Sequence, residues 1–174
     1  MTHTNTQSER ILAIAPTTKG FGFAVLEGDA TLANWGMKSV PGDKNAGALQ
    51  KIQKLFSQYH PTVVVFENYR LSPFRRSPRV CSFGDALSRT AQAAGIAVKR
   101  LSIIEVRKVF FGAAQGTKFA VAENLAQRFP EELGYLLPRK RQPWMSEDCR
   151  MAVFDAVALA VTFCVRNTTR ARSR

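Results

Sequence analysis

Two carboxylates occupy positions where a carboxylate is costly to place without a task. Glu67 directly follows Val63-Val64-Val65-Phe66, a β-branched run without alternation. Such a run suits a strand buried on both faces, with a parallel neighbour. A residue at the C-terminal edge of a strand in an open α/β sheet stands where sites form. The ordinary alternative is an ion pair with one of the arginines that follow. Asp155 lies inside Met151-Ala-Val-Phe-Asp-Ala-Val-Ala-Leu-Ala-Val, an almost wholly apolar segment. A carboxylate there must be paired, protonated or holding a metal. Asp148 falls seven residues earlier, which on a continuous helix is within about 20° of the same face. Glu147 is one position off that face, and both also suit the positive end of a helix dipole. Carboxylates gathered from a strand and a helix suggest oxygen ligation of Mg2+ (or Mn2+). In a two-metal site, such ions activate water and stabilise the leaving oxygen of a phosphodiester.

The elements that would position these groups read as one α/β domain over residues 10–166. Residues 11–15, 21–26 and 32–40 form three strands at hairpin spacing. Residues 46–59 form an amphipathic helix with Leu49, Ile52, Leu55 and Phe56 on its apolar face. Residues 62–66 form the buried strand. Residues 69–80 read as a basic loop whose Pro73 and Pro78 prevent a regular helix. Residues 82–95 form a helix with Ser82 and Asp85 as its capping signal and Gly95 as its stop. Residues 96–98 form a short strand. Ser102 and Glu105 cap a helix ending near Gly112, and residues 117–129 form another. A basic loop spans residues 136–144, and a last long helix runs from Glu147 to about Arg166. Residues 1–9 are a polar lead-in expected to be disordered, and residues 167–174 a basic, disordered tail.

The chain of 174 residues carries 25 Lys and Arg against 13 Asp and Glu, a formal charge of +12. With hydrophobic residues at 45%, whole-chain disorder is excluded. No apolar stretch reads as long enough to span a membrane, and no secretory signal is expected. Three cysteines without metal-ligand spacing fit a reducing cytoplasm. The charge excess points to a polyanion, with nucleic acid the foremost candidate and a membrane surface or an acidic protein partner as the alternatives. Arg70, Arg75, Arg76 and Arg79 beside Glu67, and Arg139, Lys140 and Arg141 near Trp144, are the candidate phosphate contacts. Tyr69 and Phe74 could stack on bases or pack against the domain.

The order of elements and the spacing of the acids resemble the RuvC-type Holliday junction resolvases of the RNase H-like superfamily. The similar stretches run from Ile11 to Val25, from Val64 to Asn68, from Gly95 to Phe129 and from Phe154 to Val161. The resemblance implies a five-stranded mixed sheet flanked by helices. It also implies a homodimer and Mg2+-dependent cutting of branched DNA, without any small-molecule cofactor. It gives catalytic, metal-binding roles to Glu67 and Asp155, and a DNA contact to Lys118. It also exposes a departure. The family's first catalytic aspartate precedes a proline at the end of strand one, and here Ala15 precedes Pro16. A second family ligand falls at Ala152. A methyl group cannot ligate a metal, so Ala15 is a vacated catalytic position. The alternatives are an engineered substitution, a natural loss of activity, or relocation of the ligand to Asp148 or Glu147. Two functional expectations follow: a RuvC-like endonuclease, or an inactive protein of the same fold that holds branched or duplex DNA. A third, an RNase H-like scaffold for protein assembly or RNA, is weaker.

Overall fold

The computed structural model describes residues 9–28 and 31–173. The expected disordered lead-in therefore lies, apart from Glu9, outside the described residues. Five strands form a mixed sheet in the order β3-β2-β1-β4-β5. They are β1 (Arg10–Pro16), β2 (Gly20–Glu27), β3 (Thr31–Ser39), β4 (Val63–Glu67) and β5 (Ala97–Leu101). The first three pair antiparallel. β1 pairs parallel with β4, and β4 with β5, as the unalternating apolar run of β4 requires.

Side-chain alternation divides the sheet between two cores. Leu12, Ile14, Val64 and Phe66 face α1 (Lys44–Tyr59) and α2 (Pro78–Ala93), meeting Ile52, Leu55, Phe83 and Leu87. Ile11, Ala13, Ala15, Val63 and Val65 face the other helices. These are α3 (Ile103–Phe111), α4 (Lys118–Arg128), the short α5 (Pro130–Leu133) and α6 (Met151–Arg172). α6 supplies twelve buried residues, among them Phe154, Val157 and Val161. It lies so close to the sheet that a Cβ on Gly22 would stand 2.4 Å from the Ala152 carbonyl oxygen. Only glycine permits that approach. Since Ala15 pairs with Gly22, the same contact places Ala15 under the first turn of α6.

Several boundaries differ from the sequence reading. α2 begins at Pro78, inside the stretch expected to be a loop, with the Ser77 side chain accepting from the Val80 amide. Proline at the first helical position costs nothing, because that N–H has no intrahelical partner. Ser82 and Asp85 are therefore interior, and Asp85 instead pairs with Arg70 and Arg100. β5 extends to Leu101, beyond the expected residues 96–98. α6 begins at Met151 rather than Glu147, because the Asp148 side chain accepts from the Arg150 amide and holds a turn there. Its far end continues helical to Arg172, through most of the stretch read as a disordered tail. Thr168 and Thr169 donate to the carbonyls of Cys164 and Val165 along that extension. At 22 residues α6 also has the length and apolarity of a membrane span, contrary to the sequence expectation. However, 72% of its apolar window is buried within the protein.

Candidate functional site

Strand register brings the expected positions together. Ile14 pairs with Phe66, so Ala15 and Glu67 follow as neighbours at the C-terminal edge of β1 and β4. Alternation turns both toward α6, which presents Asp155 one turn beyond Ala152. A cleft of about 1300 Å³ opens over this edge. Ala15, Glu67, Ala152 and Asp155 all line it.

Each of the two acids has its own cation. Arg76 donates to Glu67 Oε2 at 2.5 Å. Lys118, at the start of α4, stands 2.7 Å from Asp155 Oδ2 and 2.7 Å from Glu147 Oε1. The Thr117 hydroxyl caps α4 by accepting from the Ala120 amide, which fixes where Lys118 emerges. Burial pushes the Asp155 carboxyl up to about 6 against the pull of Lys118, and the charges of Glu147 and Glu67 raise it further. Burial disfavours the Lys118 ammonium, but Asp155 and Glu147 outweigh it and hold the group above its ordinary range. Burial likewise opposes the Arg76 charge, and the bond and attraction to Glu67 overcome it.

Asp148 lines the same cleft, but its two oxygens meet Arg150 Nε at 2.9 Å and Nη2 at 2.6 Å. With α6 starting at Met151, the helical phase that placed Asp148 on the face of Asp155 does not exist. Among the described residues no group of three or more His, Cys, Asp or Glu side chains is arranged to hold a metal ion. Among those residues Glu67 and Asp155 line one cleft without a third such donor grouped beside them. Two carboxylates are occupied by internal cations, and the positions beside them carry methyl groups at Ala15 and Ala152.

The basic residues sort themselves by position. Arg75, Arg76, Arg79, Lys118 and Arg141 line the cleft, joined by Lys19 and Arg107, which were not among the expected phosphate contacts. These seven cations face four acids: Glu67, Glu147, Asp148 and Asp155. Arg79 also donates to the Thr17 carbonyl at 3.2 Å and to Asn45 Oδ1 at 3.3 Å. Arg70 turns away and pairs with Asp85 at 2.6 Å. Arg139 and Lys140 are exposed on the loop leading to the rim. Tyr69 is buried, its ring stacked on Phe66 at 6.0 Å, so it packs in the core and is not free for a base. Phe74 is exposed and lines the cleft. Lys19 follows β1 in the turn that Thr17 closes, and Arg107 lies on α3. Neither belonged to a charge cluster in the chain, so composition offered no signal for them.

This mixed five-stranded sheet flanked by helices is the RuvC-type, RNase H-like fold. Thermus thermophilus RuvC superposes with a TM-score of 0.63 at 21% identity, covering 92% of this chain and 97% of that one. T. thermophilus RuvC in complex with a Holliday junction substrate gives 0.62 at 18% identity, covering 92% and 96%. The yeast mitochondrial Holliday junction resolvase Ydc2 gives 0.52 at 14%, covering 94% and 84%. No protein-family model matches the chain, and no curated protein matches it by sequence.

Proposed function

We propose that the protein binds branched DNA in this cleft and holds it without metal-dependent cleavage. The observation that carries the reading is the paired state of the acids: Glu67 with Arg76, and Asp155 with Lys118. With those charges satisfied internally, Lys19, Arg75 and Arg141 remain exposed in the cleft as phosphate contacts. The likeness to a RuvC solved with a Holliday junction supports branched DNA as the ligand. A four-way junction has a two-fold axis, so a pair of copies related by the same symmetry belongs to this proposal.

A second reading, Mg2+- or Mn2+-dependent hydrolysis of the junction, has one observation in its favour. Glu67 Oε1 is buried with no hydrogen-bond partner, beside the vacated Ala15. Such an acceptor suits a cation, but a productive donor set would need an added ligand at Ala15 and a displaced Arg76.

The test is a labelled four-way junction titrated with protein in EDTA and again in Mg2+, together with a cleavage assay in Mg2+ and Mn2+. The expected result is saturable binding, tighter than to duplex of the same length, no tighter in Mg2+ than in EDTA, and no product. Cleavage that disappears in Glu67→Gln would overturn the holding reading in favour of the nuclease. A gain of cleavage in Ala15→Asp would show that a single ligand separates the two.

A further inference from the structure

The loop that follows the short helical turn Gly134–Leu136 carries the most exposed large hydrophobic residue described, Trp144, at 82% exposure. Its ring belongs to neither core cluster. The stretch Pro138-Arg-Lys-Arg-Gln-Pro-Trp-Met145 contains three cations and no acid. The Met145 amide donates to the Gln142 carbonyl at 3.0 Å, closing a turn with Pro143 and Trp144 as its central residues. Proline at the first central position presets the backbone, so the indole is displayed at little conformational cost. Arg141, three residues before it, and Ser146, two after, both line the cleft. Two residues of chain span at most about 7 Å, so the turn that carries Trp144 stands beside the cleft rim.

An exposed indole that follows three cations in the chain, with the nearest acids Glu147 and Asp148 already paired to Lys118 and Arg150, suits a ligand that combines negative charge with a flat apolar face. A nucleobase on a phosphate backbone has both. A base inside a duplex has its faces covered by its neighbours, whereas a base bordering an open branch point offers one. Resting on the DNA-binding reading above, we propose that Trp144 is a specificity-determining residue that stacks on a base face uncovered at the branch point, while Arg139, Lys140 and Arg141 hold the adjoining phosphates. Base–aromatic stacking is sequence-tolerant, so the residue selects uncovered base faces rather than a sequence.

Trp35 and Trp144 are the two tryptophans of the chain. Trp35→Phe therefore leaves Trp144 as the sole indole reporter. Its emission should be quenched when a four-way junction is added and should change little with duplex. Should Trp35→Phe fold poorly, the difference between the unmodified protein and Trp144→Phe supplies the same signal. Trp144→Ala should weaken junction binding by about tenfold, the scale of one base stack, and leave duplex affinity unchanged. Trp144→Phe should retain most of the junction affinity. Loss of equal size on both DNAs, or junction affinity in Trp144→Ala equal to that of the unmodified protein, would overturn the assignment while leaving DNA binding standing. Absence of saturable DNA binding by the unmodified protein would overturn the DNA-binding reading and this one with it.

Discussion

Glu67 and Asp155, two of the four acids of the cleft, are neutralised in different ways. Glu67 ends a strand and takes its cation from nine residues along the chain, on the loop before α2. Asp155 is embedded in the core helix and takes its cation from α4, 37 residues back. The Glu67 side chain retains 15% exposure and that of Asp155 retains 32%. Asp155 also has a neutral form within easy reach, since its carboxyl is already pushed to about 6. The deeper acid in the chain's hydrophobic pattern is thus the more forgiving one. The strand-end acid depends more heavily on its single partner, because a buried charge left alone costs more than the pair is worth.

The largest expected effect comes from separating the two supports. Gly22→Val would drive a side chain into the Ala152 backbone and lift α6, with Asp155, away from the strand edge that carries Glu67. A loss of about 3 kcal/mol or more is expected in urea denaturation, with circular dichroism reporting any loss of fold. Next come the cations. Arg76→Met should cost about 2 kcal/mol, and adding Glu67→Gln should restore roughly half of it. Lys118→Met should cost only about 1 kcal/mol, since Asp155 can take up a proton and keeps partial contact with water. Equal costs for the two, or a larger one at Lys118, would reverse the comparison.

The smallest effect is a dependence on pH. The folded-state value of Asp155 is raised to about 6, above its ordinary value of 3.8. Between those values the native state binds more protons than the unfolded chain, so this group's contribution to stability falls as pH rises from about 4 to 6. Asp148 works in the opposite sense: its bonds to Arg150 hold it below the ordinary range, and its contribution is lost as pH falls. The informative quantity is therefore the difference between the unmodified protein and Asp155→Asn. That difference should grow by about 1–2 kcal/mol across the window in favour of the variant, after discounting for the solvent contact of Asp155. A flat difference would place the carboxyl in its ordinary range.

Much of this arrangement was legible in the chain. The Val63–Phe66 run announced a strand buried on both faces, which put Glu67 at its edge. A lone acid in an apolar helix announced Asp155. Neither partner cation could be identified in that way. Lys118 reaches Asp155 only because α4 folds back along α6, and Arg76 was one of four arginines with equal claim on Glu67. The start of α2 was written in Ser77-Pro78 but outweighed by the density of proline and arginine around it. The start of α6 falls beyond the expected Glu147, because Asp148 meeting Arg150 sets a turn there that the apolar pattern does not reveal. Its polar end lacks an apolar face, so periodicity had nothing to detect there.

The contact of Gly22 with Ala152 joins main chain to main chain, with no rotatable side chain between. The spacing of α6 from the sheet therefore has no rotamer through which to relax, and Asp155, one turn further on, inherits the rigidity of the sheet. Any give when a ligand enters therefore falls to the segments of the cleft outside regular elements, which carry Arg75, Arg76 and Arg141.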